Sequence, residues 1–592
     1  MKPLLLSLLL AGSLVAPAQT GPEAPEFAMV ERAVTALLAK YQIPGAAVAI
    51  AKDRRLVYTR GFGIADVTTN EPVQPDSLFR VASVSKPITA IAVMKLVEEG
   101  KVSLDTKVLA YVGRTAAADP RYADITVRHL LQHSAGLDLE FWGFDPTFPD
   151  RETLQALEAN LPPDRAAVLD FILENLPLAS APGERYSYSN VGFLLLTDVI
   201  EKAAGQRYES YMREKILAPL GIQRMRIAGS LLTERQPGEV RYWDKDRTGP
   251  SIFAGLPEES PSTYGTFHLR IFESGGGWLA SMPDLARLLV ALDAGTLLRP
   301  ETVRLITERP AYVRAGVDSW YGLGWGIVNT RFGLRWDHDG ALPGTAAWMF
   351  RGLNGVSFAI AANHLPDVER LQEFFDEVQT GLTNTVLATP AWPAGDLFPA
   401  YFPGAGPRVA NAGVVNAATL RPGPVAAGSA VTLFGVNLAG QPVRVNGTLV
   451  EPLWSEPDRL TVQVPPSAQG VTRFEVGNSR AETVTVRNSA PGIFTTSRNG
   501  YGAAAALNQD GSVNSVERPA APGSVVVLYA TGADAQPTVT VGGLPAAVLY
   551  AGPAPGLPAG IQQLNLRLPA SLPPGAALVS LGAPAEVTVA VR

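Results

Sequence analysis

Ser83 and Lys86 stand three residues apart at the head of a long apolar run, in "FRVASVSKPITAIAVMKLVEEGKVSLDTKV" (79–107). On a helix that spacing puts both side chains on one face, one turn apart. Pro87 belongs in a first turn, because it has no N–H to give and its ring clashes with a helical carbonyl four residues back. A helix start offers unpaired N–H groups and positive potential, which suit a developing oxyanion. A lysine buried there loses part of its preference for charge, and a neutral amine can take a serine proton. The same letters also fit a plain helix start, with Ser83 as N-cap and Lys86 solvated.

Two later stretches bear on that choice. "PGERYSYSNVGFLLLTDVIEKAAG" sets Tyr188 and Asn190 just before another long apolar helix pattern. A phenol can share a proton with lysine, and an Asn amide can hold an acyl-side carbonyl. "RWDHDGALPGTAAWMF" places His338, Asp339 and Gly340 at the start of a hairpin. A glycine on a strand edge lets a substrate backbone approach closely.

Ser-x-x-Lys, Tyr-x-Asn and His-x-Gly, in that order, resemble the penicillin-recognising serine hydrolases. The closest group is that of class C β-lactamases, DD-peptidases of the HxG type, D-aminopeptidases and β-lactamase-like esterases. The resemblance covers about 27 to 385 and extends to "TVRHLLQHSAGL", "YESYMREKILAPLGI", "ESGGGWLASMPDLARLL" and "YGLGWGI". It implies Ser83 as the acylated nucleophile and Lys86 with Tyr188 as the proton-transfer pair, either of them the base. It implies substrate contacts from Asn190, His338 and Gly340, and an oxyanion hole from the N–H groups of Ser83 and Ala341. No metal or cofactor is implied.

The third motif departs from the family. Relatives that bind penicillins or peptide C-termini carry a hydroxyl residue where this chain has Asp339. Facing the pocket, an ionised Asp repels a substrate carboxylate, which points to neutral esters or amides; pointing away from it, Asp339 leaves that choice open. The insert "LEFWGFDPTFPD" (139–150) brings Phe141, Trp142, Phe144 and Phe148, either as an apolar acyl site or as packing of a lid. His129 and His133 have a spacing that suits zinc, but five histidines and no HExxH favour helix-end packing. A Gly-x-Ser-x-Gly elbow is absent, against an α/β-hydrolase.

The elements that must position these residues follow from the wider pattern. The 592 residues exceed one hydrophobic core. With 46% apolar and 18% charged residues the chain is globular, and a net charge of −6 gives no case for nucleic acid. No cysteine is present, which excludes disulfides, thiol catalysis, cysteine-ligated zinc and lipid attachment at the cleavage site. Lys2, "LLLSLLLAGSLVA" and Ala16-Pro17-Ala18 read as a signal peptide, 1–18, cut after Ala18. That predicts a secreted or periplasmic protein.

Residues 27–387 read as the hydrolase domain. Phe27, Val30, Val34, Leu37 and Leu38 mark a helix, and "GAAVAIAKDRRLVYTRGFG" marks two strands about a charged turn. "TAAWMFRGLNGVSFAIAAN" is a hairpin turning at Asn354-Gly355, followed by a closing helix. The two ends can share one antiparallel sheet, and the middle is mostly helical. The fold class is α+β: an antiparallel sheet flanked by helices plus an all-helical half, with the site between them. A Pro- and Gly-rich linker, 388–408, leads to two β-sandwich modules, 409–494 and 495–592. Their repeat is carried by "AAGSAVTLFGVNLAGQPVRVNGTLVEPLW" and "APGSVVVLYATGADAQPTVTVGGLPAAVLY". They resemble paired Ig-like modules and suit a spacer or cell-surface stalk. The expected function is acyl-enzyme hydrolysis of an ester or amide, esterase-like. The alternatives are a β-lactamase, D-Ala-D-Ala carboxypeptidase or D-aminopeptidase on cell-wall peptides, and a cell-wall binding protein without turnover.

Overall fold

A computed structural model describes residues 19–592, except 149–161, 246, 254–255, 331–332, 403–406, 437, 457–458, 478, 480, 497–499, 501 and 583–586. The expected signal peptide and the end of the aromatic insert lie outside the described residues.

The chain ends of the first region do share one antiparallel sheet. Across it run Gln19–Thr20, Arg55–Asp66, Gly45–Lys52, Val356–Ala362, Thr345–Arg351, Gly333–Leu342, Gly326–Thr330 and Ser319–Tyr321. Ala49 faces Ala359 across the central pairing, which joins the N-terminal hairpin to the C-terminal one. The C-terminal hairpin turns where the sequence predicts. Asn354 and Gly355 both hold positive φ, 58° and 70°, as a tight turn requires.

Alternation along the strands separates two cores. On one face Val48, Ile50, Trp348, Phe350 and Phe358 pack against Val34 and Leu38 of the helix Ala28–Tyr41 and against Phe374 and Phe375 of the helix Val368–Asp376. On the other face the residues are mostly small: Ala47, Ala49, Ala51, Ala359 and Ala361. Small side chains let helix Met282–Asp293 sit close to the sheet. In the same core lies helix Ser85–Glu98, buried from Ser85 to Met94 and again at Leu96. A helix apolar on all sides belongs inside a core. Each fully buried Ile, Val, Met or Leu there contributes roughly 1.5–3 kcal/mol. That fixes the helix tightly enough to carry a polar pair at its head.

The described chain beyond 408 is β-structure. A four-stranded and a five-stranded sheet enclose Val431, Leu433, Val445, Leu460, Val462 and Phe474. A further nine-stranded sheet wraps Val526, Leu528, Leu564, Leu566, Val579 and Val589. Part of the Pro- and Gly-rich stretch is docked. The Leu397 N–H donates to Leu56 O (2.8 Å), and Phe398 and Phe402 are buried beside Arg287. Trp392, Leu397 and Tyr401 of the same stretch pack against the two cores as well. Arg54 pairs with Glu456 at 3.1 Å, a contact between the first region and the first β unit.

Candidate active site

Ser83 lies in a short 3₁₀ turn, Ala82–Val84, that runs into helix Ser85–Glu98. It does not cap that helix, since no side chain hydrogen bond does. The preceding residue, Ala82, holds a left-handed φ of 47°. For a residue with a Cβ that conformation costs roughly 1–2 kcal/mol. The Val81 N–H, donating to Trp278 O at 3.0 Å, helps hold the turn.

Lys86 is fully buried. Its Nζ lies 3.0 Å from Ser83 Oγ, 2.8 Å from Asn190 Oδ1 and 2.8 Å from Gly275 O. Burial pushes its pKa down to about 7, against the opposing pull of Asp145 and Asp339. Tyr188 is packed over the same group, with Lys86 Nζ 4.8 Å from its ring centroid and its hydroxyl hydrogen-bonded to Ser83. Burial raises the Tyr188 pKa well above 10, the Ser83 hydrogen bond opposing. Near neutral pH the phenol therefore keeps its proton, while the amine can lose one.

Asn190 opens the helix Asn190–Ala204. Both ends of its amide are engaged, Oδ1 by Lys86 and Nδ2 by Asp145 Oδ2 at 2.7 Å.

The strand Gly333–Leu342 forms the facing wall. Its pairing with Gly326–Thr330 stops at Asp337, so from His338 onward one edge is free of that partner. Gly340 brings this edge against the Ser83 turn. A Cβ there would stand 2.3 Å from Val81 O and 3.1 Å from Ser83 N. Backbone cannot yield to a clash of that size. Gly340→Ala is therefore expected to push the strand off the turn, with a loss of about 1–3 kcal/mol in stability. A loss of about tenfold or more in kcat/KM should accompany it. Thermal unfolding and the rate of fluorophosphonate labelling, measured side by side, check this; an unchanged labelling rate would remove the close approach from the mechanism.

His338 is buried, and its ring bonds fix one tautomer. Nδ1 lies 2.6 Å from Asp339 O, so it carries the proton, and Nε2 accepts from the Tyr321 hydroxyl at 2.8 Å. Burial lowers the His338 pKa to about 4, and the ring stays neutral. His338 and Gly340 share the strand face of their partners Met349 and Ala347, toward the larger core. Asp339 and Ala341 take the other face. Asp339 is half-buried, and its charge acts on Lys86, Tyr186, Tyr188, Tyr321 and His338.

Three participants stand outside the three motifs, in stretches whose letters do not state these roles. Tyr321 orients His338. His133 stacks on Tyr188 at 4.3 Å between centroids and accepts from the Ser189 N–H at 3.1 Å. Asp145 bonds Asn190. For Asp145 the hint in the sequence is the Asp-Pro-Thr spelling around it, which marks an Asx turn. His129 and His133 do not act together: His129 sits in the capping box with Thr126. Among the described residues no group of three or more His, Cys, Asp or Glu could hold a metal ion. In the aromatic insert, Phe148 packs on Phe272 at 4.9 Å, and the Trp142 indole N–H donates to Pro177 O. These two serve packing. Phe144 is half-buried and Phe141 is 59% exposed.

Residues 30–379 match the Beta-lactamase family, and the chain belongs to it. It is a serine hydrolase of the Ser-x-x-Lys, Tyr-x-Asn, His-x-Gly type. It is 32% identical over 310 residues to Esterase EstB of Burkholderia gladioli, covering 49% of this chain and 75% of that protein. It is 29% identical over 319 residues to Penicillin-binding protein 4* of Bacillus subtilis, covering 53% and 66%. A D-aminopeptidase of Cereibacter sphaeroides is 28% identical over 348 residues, covering 57% and 60%.

Proposed function

We propose that Ser83 attacks the carbonyl carbon of a neutral ester or amide and becomes acylated, with Lys86 as its base. One observation carries this reading. Two of the three directions around Lys86 Nζ are taken by carbonyl oxygens, Asn190 Oδ1 and Gly275 O. A neutral amine has two N–H bonds and one lone pair. With both N–H bonds donated, the lone pair is left for the Ser83 hydroxyl at 3.0 Å.

As the C–Oγ bond forms, the Ser83 proton moves to Lys86. The carbonyl oxygen becomes an oxyanion, held by the N–H groups of Ser83 and Ala341. Collapse breaks the bond to the leaving alcohol or amine. Tyr188 gives that group its proton and is reprotonated from Lys86. Water then attacks the acyl-enzyme by the same steps in reverse order, regenerating Ser83 and releasing the acid.

Asp339 stands on the strand face away from His338 and Gly340, so it bears on the substrate class through its charge rather than by contact. Its charge acts on the site's own groups, so a substrate carboxylate beside it is disfavoured. Two like charges at about 4 Å repel by roughly 4 kcal/mol at an effective dielectric near 20. Solvent and His338 reduce this, and Asp339→Thr is expected to raise the kcat/KM ratio of nitrocefin to p-nitrophenyl butyrate by about 10–100-fold. An unchanged ratio would remove the reason for preferring neutral substrates over penicillins. The same carboxylate favours a second reading, an amide with a free ammonium group, as in D-amino acid derivatives. Hydrolysis of D-alanine p-nitroanilide that falls in Asp339→Thr, while p-nitrophenyl butyrate hydrolysis holds, would select it.

The protein is further proposed to be exported through residues 1–18. The proposed division is 27–387 for hydrolysis, 388–408 as connector, and 409–494 and 495–592 as sandwich modules that act as a spacer or surface stalk. The N-terminal pattern and the repeat in the tail support this division.

A further inference from the structure

We infer that Asp145 is a positioning residue for this site: its carboxylate fixes which way the Asn190 amide faces, and so which partner Lys86 meets. The inference rests on the proposed roles of Ser83 and Lys86.

A carboxylate only accepts hydrogen bonds, so the Asn190 end facing Asp145 must be the NH2. The other end, Oδ1, is thereby turned to Lys86. One N–H of the Asn190 amide remains for substrate. A flipped amide would set N–H against the amine and cost Lys86 one of its two carbonyl acceptors. The lone pair would then no longer be confined to the Ser83 direction.

Asp145 is itself fixed. Its Oδ1 accepts from the Thr147 N–H at 2.9 Å and the Thr147 hydroxyl at 2.7 Å. Thr147 is fully buried, and the Phe148 N–H returns to Asp145 O at 2.9 Å. Phe148 then anchors the turn on Phe272 and Phe267. The insert that looks apolar in sequence thus delivers one charge.

That charge also bears on the amine. The groups facing Lys86 are Ser83 from its own turn, Tyr188 and Asn190, Gly275 O, the Phe193 ring, His133, His338, Asp339 and Asp145. Burial holds both histidines below their usual range, so the two carboxylates are the charges that favour protonated Lys86. Removing one lets burial lower the Lys86 pKa further. A base that must be neutral then works at lower pH.

Asp145→Asn separates positioning from folding. The new Asn can keep its oxygen on Thr147, so the turn survives, and it then presents NH2 to Asn190. That reverses the preferred amide orientation. With p-nitrophenyl butyrate, kcat/KM at pH 8 is expected to fall about tenfold, on the scale of a small misplacement at a reacting group. The acid limb of its pH profile should move down by about half to one unit. The double variant Asp145→Asn, Asn190→Asp restores an acceptor toward Lys86. It should move the limb above that of the native protein, because the charge now touches the amine; the limb rather than the rate is the readout, since a carboxylate at that position gives up the N–H left for substrate. Ser83→Ala run in parallel separates the two failures. If Ser83→Ala is inactive yet Asp145→Asn keeps both rate and limb, Asp145 is only a turn residue and the inference is wrong. If Ser83→Ala retains activity, the acyl-enzyme reading falls and this inference with it.

Discussion

Ser83→Ala is expected to abolish fluorophosphonate labelling and to lower kcat by on the order of 10⁵–10⁶-fold, the scale seen when a serine hydrolase loses its nucleophile. The remaining rate should come from binding and the oxyanion N–H groups alone. Stability should change little or rise. Ser83 follows a left-handed Ala82, and its hydroxyl stands 3.0 Å from a buried amine, so the turn is strained for a purpose other than stability. Mass spectrometry of the labelled native protein places the adduct. An adduct on any other serine, or turnover that survives the substitution, would sink the assignment.

Lys86→Ala should lower kcat by about 10²–10⁴-fold with KM changed only a few-fold, because its role lies in moving the proton. The pH dependence gives the sharper reading. The native Lys86 pKa is lowered to about 7 by burial, so the amine is neutral above that pH and protonated below it. A neutral base is needed, hence native kcat/KM should rise with pH through about 7 and fall roughly tenfold per unit below it. In Lys86→Ala that limb should vanish and leave a flat, low profile over pH 5–8. A limb near 7 that persists without Lys86 would belong to another group, and Tyr188 or His338 would then have to be reconsidered as base. Neither suits the part as folded, since burial raises the phenol well above 10 and lowers the imidazole to about 4.

Much of the first region is legible in the sequence because its signals are local. The periods of Val30, Val34, Leu37 and Leu38, and of the strands about Asn354-Gly355, need only neighbours along the chain. The Ser83–Lys86 spacing is local as well, since three residues span one turn. Between its two readings, cap or reactive pair, the letters alone do not choose. The fold removes the first: Ser83 caps nothing, and Lys86 lies in the interior. The aromatic insert is legible as an acyl site or a lid, but not in its content. Its four aromatics draw attention, yet the residue that reaches the site is Asp145, 45 positions from Asn190.

What the sequence determined by itself is therefore the set of groups and their local geometry: a serine and a lysine one turn apart, a Tyr-x-Asn helix start, a strand with a glycine at its edge. Their chemistry waited on the tertiary structure. Gly275 supplies a carbonyl to Lys86 from 189 residues away, and Tyr321 orients His338 from the neighbouring sheet edge. Their stretches are recognisable along the chain, but no local period tells which side chain each one meets. The protonation state of Lys86 is of the same kind, because it depends on the water excluded by helices and strands from every part of the first region. Burial is a property of the whole packed core, and it is burial that turns an ordinary lysine into an amine with a lone pair to offer.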